Sequence, residues 1–443
     1  MPITFFWVFL GSMAIGMPIV FALAFGPLAG FVLADKALYF KMLPQRLFGG
    51  INQFPLLAIP LFVLAGEIMN TSGITENLVR FARVLVGHFR AGLAQVNIVA
   101  SMLFAGLSGS AVADTSAIGS IMIPAMERDG YTRAFAAAVT AASSVIGPII
   151  PPSIIMIIYA FIMKVSVAGL FLAGFVPGML IGVGLMVLTK FLGERRNYPK
   201  SGKRASLGEI WVAFKGAFFP LLTPVIIIGG ILSGIFTPTE SAGAACFYAL
   251  VLSLFVMRTL SITDLPQLFL RTGLVSSTIL LIIGTATVFG YVATISGVPQ
   301  ALGKAVFTVT DNPVLLLLII NVLLLVTGMF LDAVPAILIL GPILAPTLYQ
   351  LGVEPLHFAI IMCINVTVGL ATPPMGLILF VTASLTRLGI EVIAKQLAPY
   401  LLVHLVAILM VTLIPDIALT LPRLLGFAPH PDGWWLTEFF GGG

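Results

Sequence analysis

Apolar runs of about 15 to 30 residues follow one another along the chain, separated by short polar breaks. A membrane-crossing helix needs about 20 apolar residues. Strands of a transmembrane barrel alternate apolar and polar positions, whereas Pro313–Val326 runs apolar without alternation, interrupted only by Asn321. The pattern predicts an all-α polytopic membrane protein. The longest polar stretch, Glu194–Glu209, is only long enough for a loop.

The pattern also repeats. Leu43-Pro44-Gln45 recurs as Leu265-Pro266-Gln267, at an offset of 222. At the same offset Gly106, Gly119, Pro124, Gly147, Pro151 and Pro152 recur as Gly328, Gly341, Pro346, Gly369, Pro373 and Pro374. Gly66, Ser72 and Gly73 recur as Gly290, Ser296 and Gly297, offset by 224. Single Gly or Pro matches are cheap, but a nearly fixed register is not. The repeats run from about Met13 to Phe161 and from about Ser233 to Thr382. Each holds a first helix, an amphipathic connector (Phe40–Phe48 in the first), a second helix, a further connector, a Gly-rich interrupted segment and a Pro-interrupted segment.

Ala91–Met126 reads as a re-entrant hairpin whose tip spans Gly106–Gly119, because Gly, Ser, Asp and Thr dominate there. Irregular backbone at membrane depth is tolerated only inside protein or along a cavity. The second hairpin is Pro313–Leu351, with its tip near Thr327–Pro335. A hairpin that returns to its own side adds no crossing, so each repeat crosses three times. Two linking helices, about Val167–Leu192 and Phe218–Phe236, then bring in the second repeat upside down. The expected fold is an inverted repeat with two re-entrant hairpins and two broken helices, of the elevator transporter type. It divides into residues 1–34 (first helix), 35–90 (scaffold helix and connectors), 91–163 (hairpin one and broken helix), 164–236 (linking helices around a basic loop, 193–209), 237–312 (scaffold of repeat two), 313–386 (hairpin two and broken helix) and 387–443 (C-terminal helix and tail).

Composition narrows the function. Charged residues make up 9% and hydrophobic residues 59% of the chain, against roughly 25% charged in soluble domains. Soluble enzymes, nucleic-acid binders and disordered chains are thereby excluded. The net charge of +5 reflects orientation rather than nucleic-acid affinity. Lys190, Arg195, Arg196, Lys200, Lys203 and Arg204 cluster in and beside one loop, which places that loop on the cytoplasmic side. Cys246 and Cys363 are too few for a disulfide framework and lack metal-ligand spacing. The first apolar segment lacks a small-residue cleavage site and is expected to be a retained helix. Trp434 and Trp435, in the tail Pro429–Gly443, suit the headgroup level; the final Gly441–Gly443 is left out of fold reasoning.

Candidate chemistry lies at the broken positions. A proline has no N–H for the carbonyl four residues back, so Pro151 and Pro152 free the carbonyls of Gly147 and Pro148, and Pro373 and Pro374 free those of Gly369 and Leu370. Bare carbonyls at a helix break suit Na⁺, although prolines also make plain structural kinks. Asp114 and Asp332 are intramembrane carboxylates in the two tips, costly there and usually functional. In the 222 register Asp332 pairs with Ser110, not with Asp114. A carboxylate among hydroxyls and carbonyls makes a hard oxygen cage for a small cation; the alternative role is helix capping. Ser108, Ser110, Thr115, Ser143, Ser144, Asn365, Thr367 and Thr372 form a polar set for a carboxylated solute between the tips, though Ser and Thr often only bond the preceding turn. Glu240 reads as a capping residue, and Glu67 and Lys164 as interfacial ones near helix ends. His-Glu-x-x-His, Gly-x-Ser-x-Gly and Walker motifs are absent, and His88, His357, His404 and His430 are scattered. Transport without a nucleotide site must draw on an ion gradient.

At Phe54–Gly66, Gly106–Pro124, Gly147–Ser153, Thr237–Glu240, Asp332 and Gly369–Gly376 the chain resembles the large membrane subunit of tripartite ATP-independent periplasmic (TRAP) transporters, the DctM-type permease. The resemblance covers nearly the whole chain. It implies a bacterial inner-membrane, Na⁺-coupled importer of organic acids with an elevator transport domain. The implied partners are a small four-helix membrane subunit (DctQ-type) and a periplasmic substrate-binding protein (DctP-type). No small-subunit sequence precedes residue 1, so the small partner is expected as a separate chain. By motif, the resemblance implies one Na⁺ site from Ser108, Asp114, Gly147, Ile150 and Pro152, and a second from Gly328, Asp332, Gly369, Thr372 and Pro374. The solute is expected to contact Ser110, Thr115, Ser143, Ser144, Asn365 and Thr367. The tip sequences look closer to sialic-acid or sugar-acid systems than to C4-dicarboxylate ones. Rival readings are an anion carrier working without a binding protein, an ion channel and, least supported, an intramembrane enzyme.

Overall fold

A computed structural model of the chain describes residues 4–33, 35, 40–199, 204–298, 301 and 312–429. Among these residues there are helices and turns and no strand. The chain opens with α1 (Thr4–Ala14), α2 (Ile19–Leu33), α3 (Met42–Ile51), α4 (Ala58–Thr71) and α5 (Ile74–Val86). Next come α6 (Gly92–Ser108), α7 (Ala111–Arg128), α8 (Arg133–Ser144) and α9 (Ile154–Met163), followed by the long α10 (Val167–Arg195) and α11 (Leu207–Leu232). The remainder is α12 (Pro238–Val251), α13 (Leu265–Ile295), α14 (Pro313–Phe330), α15 (Ala333–Gln350), α16 (Pro355–Gly369), α17 (Leu377–Thr386), α18 (Ile390–Leu413) and α19 (Asp416–Leu424). Eight described helical stretches are long and apolar enough to cross a bilayer, α10, α11, α13 and α18 among them. Large side chains such as Phe247, Val322 and Leu402 face outward, each more than 60% exposed. Lipid solvates such a surface; water does not.

Two linking helices are longer or shifted relative to expectation. α10 continues to Arg195, and α11 starts at Leu207 rather than Phe218. The shift has a local cause: Ser206 accepts from Glu209 N while the Glu209 carboxylate accepts from Ser206 N, a reciprocal cap that starts the helix early. The connector expected at Phe40–Phe48 is the helix α3, two residues further on. Lys200, Lys203, His430 and the Trp434-Trp435 tail lie outside the described residues.

The basic loop marks one end of the bundle. α6 begins there: a Cβ on Gly193 would lie 2.7 Å from the Ala91 Cβ, and Arg90 donates to Asn197 Oδ1 at 3.2 Å. α7 returns there, since Thr132, just after it, lies 3.3 Å by its hydroxyl from the Tyr198 OH. α18 also starts there, with Arg196 donating to Gln396. Near its other end the Val411 carbonyl oxygen accepts a 2.8 Å hydrogen bond from His357 Nε2, near the start of α16. Tyr349, in the last turn of α15, meets Tyr159 of α9 at 3.3 Å between hydroxyls.

Candidate functional site

α6 and α7 meet at Gly109-Ser110. Gly109 has φ +57°, and a Cβ there would fall 2.7 Å from the Pro152 carbonyl oxygen, so only glycine fits both the turn and the approach. Ser110 caps α7, its hydroxyl accepting from Ala113 N at 3.4 Å. That cap confines the irregular tip to two residues, where the sequence suggested a loosened stretch from Gly106 to Gly119. Asp114 and Thr115 consequently stand in the first turn of a regular helix.

Behind this tip the chain breaks between α8 and α9, over residues 145–153, with a cis Pro151-Pro152 bond. Gly147 sits against Ser110, its would-be Cβ 3.2 Å from the Ser110 carbonyl oxygen. Ile150 packs on Gly178 of α10. Among the described residues nothing donates to the carbonyls of Gly147 or Pro148, as the proline argument requires. Asp114 is fully buried, and neither of its carboxylate oxygens has a hydrogen-bond partner. The hydroxyls of Ser144 and Ser101 are close enough to act on it, yet they donate to Thr140 O at 2.8 Å and to Ser143 Oγ at 3.0 Å. The first expected ion cluster, Ser108, Asp114, Gly147, Ile150 and Pro152, is thus gathered around one tip and one break.

The second cluster is built alike but finished differently. α14 and α15 meet at Leu331-Asp332, and Asp332 is the N-cap of α15, its Oδ1 accepting from Ala333 N at 2.7 Å. Ser110 and Asp332, paired by the 222 register, are therefore both N-caps. α16 breaks after Gly369, α17 resumes at Leu377, and the Pro373-Pro374 bond is cis. Gly328 and Gly369 cross: a Cβ on Gly369 would lie 2.6 Å from Gly328 Cα. Here the expectation of bare carbonyls fails. Gly369 O accepts from Thr372 N at 2.9 Å, and Leu370 O accepts from Ile378 N at 2.9 Å. The turn folds back far enough to supply the donors that proline cannot. Thr372 Oγ1 donates to Val368 O at 2.8 Å.

Between the tips lies a cavity of about 660 Å³. Ser108–Ala113 and Ser116 line it from one tip, Asp332–Val334 from the other, and Pro148, Leu370 and Leu377 from the two breaks. The opposite wall is α4 and α13, through Glu67, Asn70, Leu274 and Thr278. Of the polar set expected around a solute, Ser108 and Ser110 line this space. Thr115, Ser144 and Thr367 are buried and donate to carbonyls one turn back. Ser143 joins Asn97, and Asn365 joins Asn321, each in a buried hydrogen-bond pair of 3.2 and 2.9 Å. Glu67, about one turn before the end of α4, also lines this cavity. Asn70, Asn97, Asn321 and Thr278 escaped sequence reasoning, and the cavity-lining position of Glu67 did too. The Asn97/Asn321 pair had a usable signal, an offset of 224 between two asparagines inside apolar runs. Glu240 caps α12 as expected, accepting from Thr237 N at 2.8 Å, and Lys164 closes α9.

These features define a polytopic helical membrane protein of transporter type. The solved structure of the YdaH transporter of Alcanivorax borkumensis shares this fold with a TM-score of 0.60 over 89% of this chain and 91% of that one, at 16% identity. The chain belongs to the DctM component family of tripartite ATP-independent periplasmic transporters, whose model matches residues 6–417. It is 40% identical to the sialic acid TRAP transporter large permease protein SiaM of Vibrio cholerae serotype O1, over 94% of this chain and 98% of that one. It is also 40% identical to the C4-dicarboxylate TRAP transporter large permease protein DctM of Pseudomonas aeruginosa, over 88% of this chain and 91% of that one. The chain is a large permease subunit of this transporter family and not an enzyme, and permeases of this family are inner-membrane proteins.

Proposed function

We propose that the chain carries out Na⁺-coupled secondary active uptake of a carboxylated organic solute, a sialic acid, sugar acid or dicarboxylate. It would act with a small membrane subunit and a periplasmic binding protein. The observation that carries this reading is the cavity bounded by both tips and both helix breaks. A solute there meets the N-termini of α7 and α15, which favour a carboxylate. The relatives named above are labelled for sialic acid and C4-dicarboxylate, both carboxylated.

Na⁺ would be the co-transported ion. Two unpartnered Asp114 oxygens and the Gly147 carbonyl give a hard oxygen donor set. Asp332, its second oxygen and the Gly328/Gly369 crossing would form the other position. Repeat-related arrangement supports an inverted architecture. α6 and α7 start and end at the basic-loop end, while α15 and α16 meet the opposite end through Tyr349 and His357. Each pair would be a re-entrant hairpin, one from each side. Together with the broken helices they would form the domain that slides along α4 and α13, an elevator. The cavity is walled by the first half of α13, which leads away from the basic-loop side, so the state would be inward-facing.

Reconstitution tests this. The permease with its small subunit, in proteoliposomes, should accumulate labelled N-acetylneuraminate or succinate only with an inward Na⁺ gradient and the binding protein outside. Accumulation without Na⁺ would remove the coupling; accumulation without the binding protein would favour a two-part carrier; currents of thousands of ions per opening would mean a channel.

A further inference from the structure

The bundle holds a second chamber, of about 1170 Å³, between α3, the end of α9 and the start of α12. Its charge is opposite to that of the cavity between the tips. Among the described residues, Arg46 and Lys164 line it with no Asp or Glu, whereas Glu67 and Asp332 line the tip cavity with no Lys, Arg or His. Neither Arg46 nor Lys164 pairs with a carboxylate among the described residues. Arg46 is held in place over the Tyr291 ring, 4.2 Å from its centroid; Gln45 also lines the chamber, while the Gln53 amide is turned back to donate to Gly49 O at 2.9 Å. The start of α12 is not the ligand group, since Glu240 and Thr237 already cap it.

The chamber's side follows from helix lengths. Lys164 is joined to the basic loop by the 29 residues of α10, about 43 Å of helix. Thr237 follows the 26 residues of α11, which starts beside the same loop. With the basic loop cytoplasmic, the chamber opens on the outer face. The tip cavity touches α4 and α13 nearer the other end.

We propose that this chamber is an anion-receiving site, which takes the carboxylate of an incoming solute at Arg46 and Lys164 before the solute reaches the tips. The identity of the anion rests on the uptake reading; the charge of the chamber does not. A cleft of one sign focuses the field and raises local anion concentration and association rate. It leaves the direction of net transport to the gradients. The acidic tip cavity would then hold the same anion only while bound cations offset Glu67 and Asp332, which suits release on the inner side.

The test reads the chamber directly. A thiol is placed on its wall as Gln53→Cys, or as Gly49→Cys, where a Cβ meets nothing within 4 Å. The native Cys246 and Cys363 are buried. The permease complex in phosphatidylcholine nanodiscs is reacted with an anionic and a cationic methanethiosulfonate. Arg46→Gln with Lys164→Gln should lower the ratio of anionic to cationic rates at least about threefold. Millimolar N-acetylneuraminate or succinate should slow modification only when both cations are present. An unchanged ratio, or protection by phosphatidylglycerol in the nanodisc and not by either acid, overturns the proposal; so does a double variant that loses only affinity for the binding protein. A complex showing the charge-dependent ratio and acid protection but no uptake keeps this site and removes the uptake reading.

Discussion

Asp114 carries a buried carboxylate with no donor to either oxygen. Such a group costs several kcal/mol unless a cation or a proton meets it. If Na⁺ is that partner, it binds the folded state alone and stabilises it by about 2.7 kcal/mol at a hundred times its Kd. Na⁺ should therefore raise the melting temperature of the complex relative to choline at equal ionic strength. Asp114→Asn should remove that rise without lowering stability in Na⁺-free buffer; an equal rise in the variant would take Asp114 out of the ion site. Asp332 differs, because one of its oxygens caps α15. Asp332→Ala should abolish Na⁺-driven uptake and also cost about 1 kcal/mol of stability for the lost cap, with the chain still folded by circular dichroism. Glu240→Ala, a pure capping change, should cost about the same while Na⁺ dependence stays intact.

Helix α14 crosses α16 where Gly328 meets Gly369, and the backbones touch with no room for a methyl group. Close approach through small residues is how helices associate in lipid, where no hydrophobic force drives them together. Gly369→Ala should separate the pair, cost about 1–3 kcal/mol and weaken Na⁺ binding, read as a lower melting temperature and a higher Na⁺ concentration for half-maximal uptake. Gly290→Ala, near the C-terminal end of α13 with nothing within 4 Å of its Cβ, should instead be neutral or stabilise by up to about 1 kcal/mol. Both glycines of the crossing stood out in the sequence by their register with Gly106 and Gly147. Their role as a contact between two helices did not, because a register relates residues to their repeats and not to their neighbours.

At the scale of the molecule two chambers of opposite charge lie toward opposite ends of one bundle. In the inward-facing reading, Thr278→Cys in the tip cavity should react with an impermeant thiol reagent only from the cytoplasmic face. Gln53→Cys should react only from the outer face. Inside-out and right-side-out vesicles separate the two cases, and labelling of both from one side would end this assignment. The buried pairs Asn97–Ser143 and Asn321–Asn365 join α6 to α8 and α14 to α16. In the proposed elevator, helices tied in this way would move together.

The linear order of residues was sufficient for the lipid environment, the helical class, the positions of both helix breaks and the carboxylates beside the two helix junctions. Those features depend on composition and on local rules for proline, glycine and charge, which act within a few residues of themselves. Three-dimensional packing alone decided which polar groups face open space. It turned Thr115, Ser144 and Thr367 back onto their own helices, re-paired the Gly369 and Leu370 carbonyls, and put Glu67 on a cavity wall. The bonds themselves are short-range, but whether a side chain keeps to its own turn or borders open space depends on where a distant segment leaves a gap beside it, and separation along the chain does not encode that.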